Sequence, residues 1–335
     1  MDLSIILVNY KSPQLVLNCI KSIYQETTRH SFEIIITDNF SEDNSRELIL
    51  QEYPAVIWIQ MSYNAGFARA NNAGIKAARG TYILVLNTDT LILDGALDKA
   101  IALFKNETGA AAAGVQLLNP DGSHQISGAH FIKGGLNFLL PLPYLGKFIR
   151  YWGYRLKSKV PSVTIVQEKT KVDWIVGAFI LTTKAIAMKD LFDEDFFMYA
   201  EEIEWCSRLK KHGDLFLYET PKVIHLGGAT SSSYYNTDEN ENSKNLWNRK
   251  GRQILISMML RIRKQYGVGW FLVMLFFFIF EIPVFFIGLL IEKIVKQAKA
   301  KYSWISFRNY CINIFHLVSY TPKIISNNPF FYKLP

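Results

Sequence analysis

Tyr82-Ile83-Leu84-Val85-Leu86-Asn87-Thr88-Asp89-Thr90 joins five strand-forming residues to a carboxylate flanked by small polar side chains. In an open α/β sheet, ligands bind in the crevice beyond the carboxyl ends of the strands. A carboxylate there suits a divalent cation, and a cation suits a diphosphate. A polar strand-to-helix turn would read the same way in isolation, so the neighbouring segments decide.

The preceding residues repeat the pattern. Leu3–Val8 reads as a buried strand, followed by Ser12-Pro13, an N-cap and first-turn pair for a helix to about Gln25. Phe32–Thr37 is a second strand, and Ser41 with acidic Glu42 and Asp43 opens the next helix. Val56–Gln60 is a third strand, with a helix from Phe67 to about Arg79 closed by Gly80. A further helix runs from about Asp94 to Phe104. Such alternation predicts an α/β fold with a mostly parallel sheet and helices on both faces. Each strand meets its polar residues at the same end: Asn9, then Asp38 and Asn39, then Ser62 and Asn64, then Asn87 and Asp89. Four polar ends on one edge are better explained by a ligand than by four unrelated loops.

Beyond Asn119 the periodicity fails until Pro161. Phe131–Lys159 mixes aromatic and basic residues, either an irregular lid on the core or a surface for a membrane or lipid-linked substrate. Val172–Leu181 regains strand character, with Trp174 and the small pair Gly177-Ala178. Asp193–Lys211 reads as a turn and helix carrying Glu201, Glu202 and Glu204. Val223–Leu226 is a short strand before Gly227-Gly228, and Ser231–Ser243 is a polar loop.

Three scattered cysteines suggest neither a disulfide framework nor a thiolate zinc site, which fits a reducing compartment. The first apolar run is too short for a signal-peptide core, so the N-terminal part is expected in the cytosol. The charge, +8 overall, is unevenly placed. From Lys244 onward, 14 Lys and Arg residues face two acids, Glu281 and Glu292. Val268–Ile291 holds one charge, Glu281, and one proline, Pro283. As a straight helix it reaches about 36 Å, enough for a hydrocarbon core of about 30 Å. Basic flanks on both sides give no orientation, and Glu281 with Pro283 favours a bent or monotopic segment that enters one leaflet and returns. Bases beside a long apolar run point to a membrane surface rather than to nucleic acid.

Together these segments resemble the family 2 inverting glycosyltransferases of GT-A (Rossmann-like) fold, in their rhamnosyltransferase-like branch. Ser4-Ile5-Ile6-Leu7-Val8-Asn9-Tyr10 is similar to the family's opening strand. Thr37-Asp38-Asn39-Phe40-Ser41-Glu42-Asp43-Asn44-Ser45 resembles its V-D-N-x-S-x-D-x-S turn. Asn64-Ala65-Gly66-Phe67-Ala68-Arg69-Ala70-Asn71-Asn72-Ala73-Gly74 matches the branch's N-x-G-F-A-x-x-N-N-x-G run. Asn87-Thr88-Asp89 stands at the D-x-D position with Asn87 for the first Asp, and Glu201-Glu202 at the E-D pair with Glu202 for its Asp. The likeness runs from residue 3 to about 252. It sets expected domains of 1–252 (the GT-A domain) and 253–335 (a basic, hydrophobic, helical membrane-associating region).

The resemblance implies a hexosyltransferase-type enzyme moving a sugar, rhamnose for this branch, from a dTDP- or UDP-sugar to a lipid-linked or oligosaccharide acceptor. It implies work at the cytoplasmic face of the cell membrane, in surface-polysaccharide synthesis. Asp38 would contact the donor's base, with Asn9 and Tyr10 nearby. Asn64, Gly66, Asn71 and Asn87 would shape the diphosphate-sugar site, and Arg252, by position, would neutralise the leaving diphosphate. Asp89 and His225 would hold Mg²⁺ or Mn²⁺, and Glu202 or Glu201 would be the general base. Trp174 and Gly177 would line the acceptor side. Structural readings stand beside these: Asp38 as a turn residue, Trp174 as core, Glu201 and Glu202 as acids favoured at a helix start. The two Asp replacements, Asn87 and Glu202, motivate an alternative: a catalytically weak nucleotide-sugar or glycan-binding subunit of an assembly complex. A nucleotidyltransferase is disfavoured, because no glycine-rich, lysine-bearing loop opens the chain.

Overall fold

The computed structural model describes residues 1–155, 160–227, 246–296 and 300–327. Gly228, the Ser231–Ser243 loop, Lys157, Lys159 and Lys299 lie outside the described residues. The elements run β1 (Leu3–Asn9), α1 (Pro13–Glu26), β2 (Phe32–Asp38), α2 (Ser45–Glu52), β3 (Ile57–Gln60), α3 (Gly66–Ala77), β4 (Tyr82–Leu86), β5 (Thr90–Ile92), α4 (Ala96–Asn106) and β6 (Ala110–Leu118). Then come β7 (Gly128–Ala129), α5 (Leu145–Arg155), β8 (Ser162–Val163), β9 (Lys169–Val172), β10 (Trp174–Ile175), β11 (Phe179–Thr183), α6 (Lys184–Lys189), α7 (Glu201–Leu209) and β12 (Asp214–His225). Helices α8 (Arg249–Tyr266), α9 (Val268–Lys296) and α10 (Trp304–Ile325) follow.

Two compact units result. The first comprises Met1–Phe131, Pro161–Phe197 and Glu201–Tyr234; the second comprises Ile132–Val160, Met198–Ala200 and Tyr235–Pro335. Residue 252, where the sequence divides the chain, lies inside α8.

In the first unit the sheet order is β3-β2-β1-β4-β11-β6-β12-β5. The β1–β2, β2–β3, β1–β4 and β6–β12 pairs are parallel, whereas β11 runs antiparallel to β4 and β6. The expected mostly parallel sheet is therefore present. Alternation along β1 gives it two buried faces. Leu3, Ile5 and Leu7 join Val16, Cys19, Ile20 and Ile23 of α1 in one core. Ile6 points the other way, onto Gly74 of α3, where a Cβ would come within 2.5 Å of Ile6 Cγ2. A polar sheet face is thus excluded on both sides, which is why the strands read as continuous apolar runs.

Several boundaries differ from the sequence reading. Helix α2 starts at Ser45 rather than Ser41, because Phe40 and Glu42 adopt positive φ (64° and 54°) and hold residues 40–44 in a turn. Val172–Leu181 is three short strands instead of one. The Ala-rich β6 was not expected at all. It is small because its neighbours are large: a Cβ on Gly114 would meet Ile175 at 2.5 Å and Leu217 at 2.8 Å.

The second unit is helical. Residues 133–139 form a 3₁₀ segment and 145–155 form α5, so the stretch expected to be irregular carries a helix. Asn248 caps α8 by accepting from Gly251 N at 2.7 Å, and Ser303 caps α10 by accepting from Ser306 N at 3.0 Å. The expected bend and return within 268–291 does not occur: α9 is one helix of 29 residues. Proline removes one helical hydrogen bond and kinks a helix, but the helix continues through Pro283 to Lys296.

Gly66 is the tightest point of the first unit's site edge. Its φ is +83°, and a Cβ would lie 2.3 Å from Phe197 O. Phe67 N donates to that carbonyl at 2.7 Å, which fixes the start of α3. Gly66→Ala is expected to cost about 2 kcal/mol or more, from left-handed backbone plus overpacking. Urea unfolding measures it, and an unchanged midpoint would contradict the geometry.

Candidate active site

Asn9 and Asp38 are register partners at the ends of β1 and β2, and Asn9 Nδ2 donates to Asp38 Oδ1 at 2.8 Å. Asp38 also accepts from Ser41 N at 2.9 Å, Ser41 Oγ at 2.5 Å and Gln60 Nε2 at 2.7 Å. Four donors fill the lone-pair directions of one carboxylate. Asp38 therefore ties together the ends of β1, β2 and β3, and direct contact with a base would replace one of these donors. Tyr10 is half-buried in the loop after β1, with Lys11 Nζ 5.7 Å from its ring centroid.

The next edge residues form a second node. Asn39 Nδ2 donates to Asn64 Oδ1 at 2.9 Å, and Asn39 Oδ1 accepts from Ala65 N at 2.8 Å. Asn64 Oδ1 also accepts from Gly66 N at 3.2 Å. Asn71 is buried one turn along α3, donating to Phe67 O at 2.9 Å. Its Oδ1 has no hydrogen-bond partner among the described residues. Asn72 is consumed structurally, bonded to the backbone of Phe192 on both sides of its amide.

Asn87, Asp89 and His225 meet. His225 pairs with Thr90 across the β12–β5 ladder, and Leu226 N donates to Asp89 O at 2.9 Å. His225 Nε2 lies 3.4 Å from Asp89 Oδ1 and 3.5 Å from Asn87 Nδ2. A chain of hydrogen bonds fixes which ring nitrogen carries the proton. Ser123 Oγ donates to Asp121 Oδ1 at 2.6 Å, and Asn119 Nδ2 donates to Ser123 Oγ at 2.9 Å. Gln125 Nε2 donates to Asn119 Oδ1 at 2.9 Å and to His225 O at 3.3 Å. Gln125 Oε1 therefore faces His225 Nδ1, 2.7 Å away, and accepts from its N–H. In the neutral ring, Nε2 is then a lone pair turned toward a carboxylate. Two lone pairs at that separation repel unless a cation or proton sits between them. Asp89 and His225 thus fit a cation, and a carboxylate with an imidazole suits Mn²⁺ at least as well as Mg²⁺. No group of three His, Cys, Asp or Glu side chains placed to hold a metal ion occurs among the described residues. Gln125 was not singled out in the sequence; a glutamine in a turn gives no pattern to read.

The β4–β11 junction brings Gly177 to the same edge. Asn87 N donates to Ala178 O at 3.1 Å. Beside Ala178, Gly177 leaves room for Glu202, whose Cβ and Cγ would lie 3.4 Å from an added Cβ. Glu202 is half-buried, while Glu201 is buried and its Oε2 has no hydrogen-bond partner among the described residues. Burial, and then the neighbouring Glu202 charge, push the Glu201 carboxyl well above its ordinary range. Glu204 is removed from this group: Arg208 grips both its oxygens at 2.8 Å. Trp174, half-buried, pairs with Ala129 on β7.

Since β2, β1, β4 and β11 are consecutive strands, Asp38 and Gly177 are separated by three strand spacings, about 14 Å. Arg252 belongs to the second unit, where its Nη1 lies 3.0 Å from His316 Nε2.

Residues 4–165 match the glycosyl transferase family 2 model. The chain is similar to the N-acetylglucosaminyl-diphospho-decaprenol L-rhamnosyltransferase of Mycobacterium tuberculosis, 27% identical over 59% of this chain and 67% of that protein. It is also similar to the poly(ribitol-phosphate) beta-glucosyltransferase of Bacillus spizizenii, 34% identical over 29% of this chain and 16% of that one. A solved structure of GalNAc-T7 with UDP, GalNAc and Mn²⁺ shares the fold, with a TM-score of 0.51 and 14% identity over 81% of this chain and 56% of that one. The N-terminal part of this chain is a family 2 glycosyltransferase domain.

Two outcomes follow from the geometry. Gln125→Leu is expected to weaken Mn²⁺ binding about tenfold by titration calorimetry, because it frees the His225 ring; unchanged affinity would remove Gln125 from the site. Glu201→Gln is expected to raise Tm at neutral pH. The wild-type carboxyl is raised in the folded state, so stability is lost as pH climbs above the unfolded value of 4.5. The gain should shrink toward zero near pH 4, and a gain equal at both pH values would assign it to another cause.

Proposed function

Starting from a family 2 glycosyltransferase domain, we propose that this protein is an inverting enzyme of surface-polysaccharide synthesis. It takes a nucleoside-diphosphate sugar and glycosylates a lipid-linked or growing glycan at the cytoplasmic face of the membrane. The observation that carries this reading is the β4–β11 junction: Glu202 lies on Gly177, one residue from the carbonyl that binds the backbone of Asn87. A carboxylate and a candidate cation site are thereby assigned to two sides of one crevice.

Inversion needs a base on the face opposite the leaving group. Glu202 takes the proton from the acceptor hydroxyl as that oxygen bonds to the anomeric carbon. The bond from that carbon to the diphosphate oxygen breaks with its electron pair, and the nucleoside diphosphate leaves. Glu201, desolvated and biased toward its neutral form, keeps a second negative charge away from the base. Asp89 and His225 would hold Mg²⁺ or Mn²⁺, and when bound the ion would offset charge on the leaving diphosphate. Asn64, Gly66 and Asn71 shape the sugar-diphosphate end, and the Asn9–Asp38–Gln60 node shapes the base end, with Tyr10 at its rim. The Trp174 face is offered to the acceptor sugar. Arg252 is assigned to the leaving diphosphate only by its place in the sequence. Rhamnose as the transferred sugar rests on the likeness to the mycobacterial relative, and a dTDP donor on the resemblance of the sequence motifs alone.

Glu202→Gln is expected to lower transfer or donor hydrolysis by about 10²- to 10⁴-fold, with donor affinity within about threefold. Single-turnover assays with dTDP-, UDP- and GDP-sugars and Mn²⁺ measure it. Nucleotide binding without turnover in the wild type would instead support a binding subunit.

A further inference from the structure

Within the second unit, α9 is two-sided. Phe271, Met274, Phe278, Glu281, Phe285 and Leu289 are buried along one side, at spacings of three or four residues. The opposite side is apolar and open: Leu272 is 48% exposed, Phe276 59%, Ile287 56% and Ile294 76%. These span about 33 Å of helix. The open surface continues onto α10, because half-exposed Phe286 meets Trp304 at a centroid distance of 5.8 Å. Ile305 and Phe315 of α10 are about 70% exposed. So large an apolar surface marks a docking site.

Both carboxylates of α9 are used on the buried side. Glu281 accepts from Tyr144 N at 2.8 Å and Leu145 N at 3.0 Å, capping α5. Glu292 accepts from Tyr144 Oη at 2.8 Å. These are the only carboxylates among the described residues of the second unit, and both are buried. Every exposed ionised side chain described there is therefore basic, Arg150, Arg155, Lys301 and Arg308 included. An apolar strip beside described exposed charges that are all basic fits acyl chains beneath anionic headgroups.

We infer that α9 and α10 lie side-on in one leaflet of an anionic membrane, and that α9 does not cross it. A transbilayer helix would carry its packed partner α8 into the hydrocarbon, and α8 bears Arg249, Lys250, Arg252, Arg263 and Lys264, none of them fully buried. Burying those charges costs far more than the strip returns. Side-on insertion wets the basic helix and buries only the open strip. The inference deepens the membrane part of the proposed function and rests on it.

The full chain is tested in two ways. Flotation with vesicles of phosphatidylcholine alone or with 30% phosphatidylglycerol should show at least tenfold more bound protein on the anionic set. Phe276→Glu with Ile287→Glu should abolish that binding while nucleotide affinity, measured on the same sample, is unchanged. Lost nucleotide affinity in the wild type would instead count against the glycosyltransferase reading. Separately, Gly267→Cys, just before α9, and Ser303→Cys, at the N-cap of α10 that follows it, should react with an impermeant maleimide from the same side of sealed membranes. Reaction from opposite sides would establish a crossing and overturn the inference. So would a dimer that the paired Glu variant dissociates, with no wild-type vesicle binding.

Discussion

The pairing of β11 with β4 is the constraint on which the site depends. Because β11 runs antiparallel to β4, its first residues stand beside the carboxyl end of β4. Asn87 N then finds its acceptor in Ala178, and Gly177 is delivered to the edge where Asp89 and His225 meet. Parallel pairing would have sent Gly177 to the opposite edge, leaving Glu202 remote from the crevice. A backbone register thus decides which side chains share one volume.

The buried carboxylates show how environment separates residues of one chemical type. Asp38 has every acceptor direction filled and acts as a fastener. Glu204 is neutralised by a bidentate guanidinium. Glu201 is desolvated and sits beside the charge of Glu202, so it favours its neutral form. Glu281 caps a helix through two backbone N–H groups. Charge alone would have grouped all four; partner count and solvent access divide them.

Much of the fold was legible because buried parallel strands must be apolar throughout. Leu3–Asn9, Phe32–Asp38 and Tyr82–Leu86 announced themselves in that way. Strand β6 did not, since Ala-Ala-Ala-Ala-Gly suits a helix by composition and becomes a strand only because Ile175 and Leu217 fill the space around it. The sequence expected helices over 253–335 but not their polar core: Asn313 and Tyr310 are buried through hydrogen bonds to Leu246 O and Phe278 O, and Arg261 through its contact with the Phe138 ring. The break and return expected of the long apolar run failed because Glu281 finds its partners at Tyr144 and Leu145, and so demands no turn back to water.

By itself the sequence determined the strand–helix alternation, the polar ends of the first four strands and the family likeness, all carried by local patterns of hydrophobicity and short motifs. The likeness had already paired His225 with Asp89, but tertiary structure alone decided that Gln125 sets the proton of that ring. It also decided that Glu202 rests on Gly177, and which side of α9 is spoken for. Those facts depend on strand order and hydrogen-bond direction between segments far apart in the chain, which no local pattern encodes.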